Sequence, residues 1–150
     1  MSRLLTLSFV LLCLFIVPTI GCDDLNAGRS NVSGTITLDG EPISGGTIIF
    51  QPVNPDPSGV NSGMQVQILN GRYSLIGAQG LLPGDYRVKL QCQRVIDKNT
   101  KQDYTGNTDD ASAFTVIDVI PEQFNTKSEI IFTVEEKKGA KTFDYDVKTK

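Results

Sequence analysis

The sequence predicts an all-β sandwich, and three observations carry that prediction. From Asn31 onward apolar residues recur with a period of two. Gly, Pro and Asn interrupt that pattern at short intervals, as turns between short strands require. No stretch shows the helical repeat, so neither a bundle nor alternating βαβ units is expected.

The first strand opens at Val32, with Val32, Gly34, Ile36 and Leu38 on one face and Ser33, Thr35 and Thr37 on the other. Asp39-Gly40 ends it as a hairpin-type turn, with Pro42 just beyond. A second strand from Gly46 to Gln51 turns Ile48 and Phe50 inward. Pro52, Pro55 and Pro57 then deny a ladder its donors, which makes the segment up to Gly59 a loop. Met64, Val66 and Ile68 alternate with Gln65 and Gln67 in the next strand, and Asn70-Gly71 turns the chain into Arg72–Leu75. Tyr86, Val88, Leu90 and Cys92 alternate with Arg87, Lys89 and Gln91 in the clearest strand of all. Residues 94–113 lack an apolar period and read as a loop, long enough to be functional or mobile. Two strands close the domain, Ile130, Phe132 and Val134 facing inward on one and Phe143, Tyr145 and Val147 on the other. Glu135–Gly139 reads as the charged tip of a hairpin between them.

The chain begins with one basic residue, Arg3, followed by an apolar run from Leu4 to Val17. At 14 residues this run is shorter than the ~20 a membrane-spanning helix needs, and fits the core of an export signal. Pro18 breaks the run, and Thr19-Ile20-Gly21 leads to Cys22 in the manner of a lipoprotein signal, with Thr19 where Leu or Val is usual. The competing reading is ordinary secretion, because Thr19 and Gly21 also make a small-x-small cleavage site. On the lipoprotein reading residues 1–21 are removed and Cys22 is acylated, for example with palmitate. Residues 22–30 form a polar spacer, and 31–150 the folded domain. Two or more acyl chains, at about 0.8 kcal/mol per buried methylene, hold such a protein on the membrane. The expected location is the cell envelope, facing the periplasm or exterior.

Loss of the leader leaves 129 residues, enough for one domain with a modest core, and moves the net charge from −3 to −4. No basic cluster marks a nucleic-acid partner. The chain has no histidine, which excludes Ser-His-Asp and Cys-His nucleophiles and His-ligated zinc. With Cys13 removed and Cys22 acylated, Cys92 stands alone on the apolar face of its strand. It reads as a small buried hydrophobe, with a Cys22–Cys92 disulfide as its competing role.

Three blocks together resemble a known family. Val32-Ser-Gly-Thr-Ile-Thr-Leu-Asp-Gly-Glu-Pro-Ile-Ser-Gly-Gly-Thr-Ile-Ile-Phe50 is similar to the opening of carboxypeptidase-regulatory-like, transthyretin-like domains. Gly71-Arg-Tyr-Ser-Leu75 with Leu82-Pro-Gly-Asp-Tyr-Arg-Val88 resembles their second signature. Ile120-Pro-Glu-Gln-Phe-Asn125 and Phe143-Asp-Tyr-Asp-Val147 resemble the ending of short planctomycete-type envelope lipoproteins. The resemblance implies a seven-stranded Greek-key sandwich of prealbumin type, serving as an accessory, adhesive or scaffold module. Some relatives hydrolyse hydroxyisourate with histidines and a Tyr-Arg-Gly-Ser ending. This chain ends Asp146-Val-Lys-Thr-Lys150 and has no histidine, so that activity is not expected.

The expected function is therefore a non-enzymatic, cofactor-free envelope lipoprotein whose sandwich acts as a structural or protein-interaction module, meeting an envelope protein partner through exposed edge strands or through residues 94–113. The alternative is a module binding calcium, a small ligand or a glycan. Asn54, Asp56, Asp103, Asp109 and Asp110 supply oxygens of the kind calcium takes, but no EF-hand spacing is present and solvated loop carboxylates are the simpler reading. Tyr104, Phe114 and Phe124 are the rings free to meet a glycan, since the other candidate aromatics point inward.

Overall fold

The computed structural model describes residues 28–59, 61–103, 112–136 and 139–149. Among them the chain is all-β. Its strands are β1 (Val32–Leu38), β2 (Glu41–Pro42), β3 (Gly45–Pro52), β4 (Met64–Leu69), β5 (Arg72–Leu75), β6 (Gly84–Gln91), β7 (Gln93–Asp97), β8 (Phe114–Asp118), β9 (Ile131–Val134), β10 (Lys141–Thr142) and β11 (Tyr145–Val147). Single 3₁₀ turns at Gly77–Gln79 and Glu122–Phe124 are the helical elements among the described residues.

The main sheet runs β10-β1-β5-β4-β3-β6-β9, with β2 and β11 also paired to β1. Two turns predicted from dipeptides set its register. Asp39 and Gly40 both take left-handed backbone (φ 53° and 92°) and place Leu38 opposite Glu41. Asn70 and Gly71 (φ 50° and 75°) place Leu69 opposite Arg72. Positive φ at both central residues matches the right-handed twist of the strands they join, and Asn, Asp and Gly adopt it most cheaply.

β3 lies in the interior of the sheet, antiparallel to β4 and to β6. Ile48, Phe50, Val88 and Leu90 are fully buried on one side, as their period of two requires. Phe50 anchors the core, its ring 5.9 Å from Tyr73, 5.8 Å from Phe132 and 6.3 Å from Phe143. Phe132 and Phe143 come from opposite ends of the sheet, yet their centroids are 5.3 Å apart. The mostly antiparallel sheet is therefore curled over a single core. Tyr86, also buried, directs its hydroxyl to the Leu82 carbonyl at 2.7 Å and to Asn61 at 3.0 Å, which fixes the corner before β6.

Three expectations are corrected. The last two strands do not form a hairpin about Glu135–Gly139, since β9 pairs with β6 while β10 and β11 run parallel to β1 at the other end of the sheet. The reason lies in how the C-terminal segment is held. The Tyr73 hydroxyl donates to the Phe143 carbonyl at 2.8 Å, and the Asp144 carboxylate accepts the Thr35 amide at 2.7 Å, so both act where a continuous ladder would.

Residues 94–113 are not one loop, because Arg94–Asp97 belongs to β7, which pairs with β8 in a two-stranded ribbon from Gln93↔Asp118 to Asp97↔Phe114. A ribbon solvated on both faces has no inward side, and so leaves no apolar period to read. Finally, the fold begins before Asn31. Ser30 is buried and exchanges two backbone hydrogen bonds with Leu81, while Arg29 donates to the Gly80 carbonyl at 2.9 Å.

Candidate functional site

The ribbon is stitched to the main sheet at its base by Asp118. The carboxylate accepts the amides of Cys92 (3.1 Å) and Ile120 (3.0 Å) and the side-chain amide of Asn125 (2.7 Å). Asn125 is buried and accepts in turn from Gln91 at 3.4 Å. Removing the carboxylate leaves three donors without their partner, and a hydrogen bond to a charged group contributes about 1.5–3 kcal/mol. Asp118→Ala is expected to cost about 3 kcal/mol in urea unfolding, with accelerated amide exchange in β7 and β8. Native exchange in the ribbon would contradict the clamp.

Beyond that base, Val95 and Val116 stand directly opposite each other and are exposed at 41% and 53%. Ile117 is also exposed. The outer edge of β7 is partly covered. Ile96 bridges Asp103, the Asp97 amide donates to the Gln102 carbonyl, and the Asp97 carboxylate accepts the amides of Asn99 and Thr100. Those amides, Thr100 first, hold the Asp97 carboxyl below its ordinary value. The Arg94–Asp103 pair, 4.0 Å apart and exposed, adds little.

The outer face of β4, β3 and β6 is hollowed, and its lining mixes glutamines with Ile49, Met64 and Leu69. One hollow of about 460 Å³ lies over Ile49, Gln51, Gln65, Lys89 and Gln91, walled by Ser62–Gly63 and Asn125–Thr126. A second, about 290 Å³, continues past Gln91 over Thr47, Gln67 and Gln93.

A third feature is the acidic C-terminal edge. Asp146 pairs with Lys148 and accepts from the Thr37 hydroxyl (2.7 Å) and the Gly40 amide (2.9 Å), while Asp39 accepts from the amide and hydroxyl of Thr149. Lys148 first, then Thr37 and Gly40, hold the Asp146 carboxyl down at about 2, against an ordinary 3.8. Hydrogen bonds from Thr149 likewise lower Asp39. A folded-state pKa below the unfolded value gives stability that is present above the unfolded pKa and lost as pH falls through the folded one. Stability is therefore expected to drop between about pH 4 and pH 2, and Asp146→Asn is expected to flatten that drop in urea midpoints taken across the window.

Of the residues singled out in the sequence, Cys22, Tyr104, Asp109 and Asp110 lie outside the described residues. Cys92 is buried and forms no disulfide among the described residues, and burial raises the pKa of its thiol. Asp56 closes a local turn on Ser58, whose hydroxyl and amide hold its carboxyl below the ordinary value. Asp103 sits instead on the edge of the ribbon. Among the described residues no group of three acidic or cysteine side chains gathers as a metal would need. Phe124 is not a free platform, since it is half-buried and packs edge-on against Tyr145 at 6.0 Å. Phe114 is half-buried at the end of β8.

Sequence reasoning missed Asp118 and Asn125, because the bonds that tie them to the sheet, to Cys92 and Gln91, span 26 and 34 residues. The outward glutamines at 65, 67 and 91 were visible in the alternation, but an outward polar residue ordinarily means only solvent.

Among the described residues no helix is long and apolar enough to cross a membrane. No family model matches the chain, and neither does any curated protein. Among solved structures, the chain is similar to a "putative adhesin" from Bacteroides ovatus ATCC 8483, with a TM-score of 0.41 and 16% identity. The match covers 85% of this chain and 47% of that one, so the chain spans about half of its neighbour.

Proposed function

We propose that the protein is a non-enzymatic envelope lipoprotein, tethered through acylated Cys22, whose β-fold serves as a protein-interaction module. The proposed fold family is the seven-stranded Greek-key sandwich of prealbumin type. Tyr86 closing back on Leu82 supports that reading, because a corner of this kind recurs in Greek-key sandwiches.

The observation that carries the interaction reading is the β7–β8 ribbon. An isolated two-stranded ribbon is marginal in water, yet this one is clamped by Asp118 and presents Val95 and Val116 to solvent. Rigid support beneath an exposed apolar pair is what a contact surface needs, since little order is lost on binding.

Two measurements test the proposal. Cys22→Ser is expected to move the protein from the membrane fraction to the soluble periplasm or medium; a variant still bound to membrane would refute the tether. Pull-down of the intact protein from its own membranes is expected to recover a defined partner that Val95→Thr with Val116→Thr releases. Threonine keeps the β preference and removes the apolar surface. Undiminished recovery with that variant would place the contact elsewhere.

A further inference from the structure

We propose that the concave outer face of β4, β3 and β6 is a second binding surface, for a linear, mostly neutral polysaccharide carrying widely spaced carboxylates. The two hollows share Gln91 and together follow β3 from Gly45 to Gln51. Six residue steps at about 3.3 Å make a trough on the order of 20 Å long. It suits an extended chain better than a compact ligand.

The lining chemistry narrows the class. Gln51, Gln65, Gln67, Gln91 and Gln93 bring primary amides, each offering two donors and a carbonyl acceptor. Sugar hydroxyls also donate and accept, so a row of amides meets a row of hydroxyls without leaving either unpaired. Gln91 is partly pre-set, because its Nε2 donates to Asn125, which Asp118 holds from behind.

Lys89 supplies the charge. It is the sole ionisable side chain lining the trough among the described residues, in a chain with 17 acidic and 14 basic side chains. It is half-buried, and no salt bridge engages it among the described residues. One unpaired ammonium in a trough without carboxylates calls for one anionic group per stretch of ligand.

A nucleic acid would need several cations to neutralise its phosphates. An extended peptide would need either a sheet edge for its backbone or pockets for alternate apolar side chains. This site is a sheet face rather than a free edge, and its accessible apolar lining is Ile49 and Met64 in the first hollow and the exposed Leu69 in the second, without a row of alternate apolar pockets.

The test is titration calorimetry of the folded domain with short gellan oligosaccharides, which carry one glucuronate per four sugars. Dextran, alginate and poly-glutamate serve as comparisons. Binding to gellan is expected. Lys89→Gln is expected to weaken it about tenfold, down to the level of dextran, and Gln67→Ala to weaken it further, while Lys98→Gln in the turn after β7 leaves it unchanged. A melting curve matching the wild type certifies the fold of each variant. Absence of gellan binding, or equal binding by Lys89→Gln, would overturn the proposal. So would tighter binding of poly-glutamate or of densely charged alginate, which would make the face a general anion site.

Discussion

Replacing Phe50 by alanine is expected to cost about 3–5 kcal/mol, the range for removing a buried aromatic without full collapse of the space left behind. Phe50 is fully buried, and its ring meets Tyr73 on β5, Phe132 on β9 and Phe143 beside β10. These partners come from separate parts of the sheet, so they cannot close over the gap together. Domains of this size are stable by only about 5–15 kcal/mol, so the variant should unfold at much lower urea with an unchanged m-value. A loss under about 1 kcal/mol would mean that the two ends of the sheet do not meet over Phe50.

Gly34→Ala is expected to be nearly as damaging, for a steric reason. A Cβ at this position would lie 1.9 Å from the Phe143 carbonyl oxygen and 2.7 Å from its carbon. Both are backbone atoms, so no side chain can swing aside. Overpacking a fitted interior costs about 1–3 kcal/mol, and here the C-terminal segment must also leave β1. The Tyr73–Phe143 and Asp144–Thr35 hydrogen bonds go with it, as does the bond from the Asp39 amide to the Val147 carbonyl. Amide exchange at Thr35 and Asp39 should therefore accelerate far more than in β3 or β6. Uniform acceleration across the sheet would instead indicate global unfolding without local release.

Much of the core was legible because burial and alternation coincide. Ile48, Phe50, Ile68, Tyr73, Tyr86, Val88 and Leu90 all fall on the faces that a period of two assigns, and all are buried. The two left-handed turns were legible because Asp39-Gly40 and Asn70-Gly71 are chemically suited to positive φ. Pairing at the C-terminus was not legible. Phe143, Tyr145 and Val147 announce an inward face, but nothing local says that their partner is β1, more than a hundred residues earlier. The ribbon escaped because its strands bury neither face fully, and the Asp118 clamp because a hydrogen-bond acceptor has no periodicity. Dense amides on the outer sheet face were on view throughout. Only the concavity of that face and the unpaired Lys89 give them a possible ligand.

The most direct test of the interaction reading is photo-crosslinking in intact cells from a reactive side chain placed at Val116, with Ser74 on β5 as the exposed control position. A discrete adduct from position 116, absent from position 74 and lost when the Asp118 clamp is removed, is the expected result. Adducts of equal yield from both positions, or none from position 116, would contradict the ribbon as the contact surface.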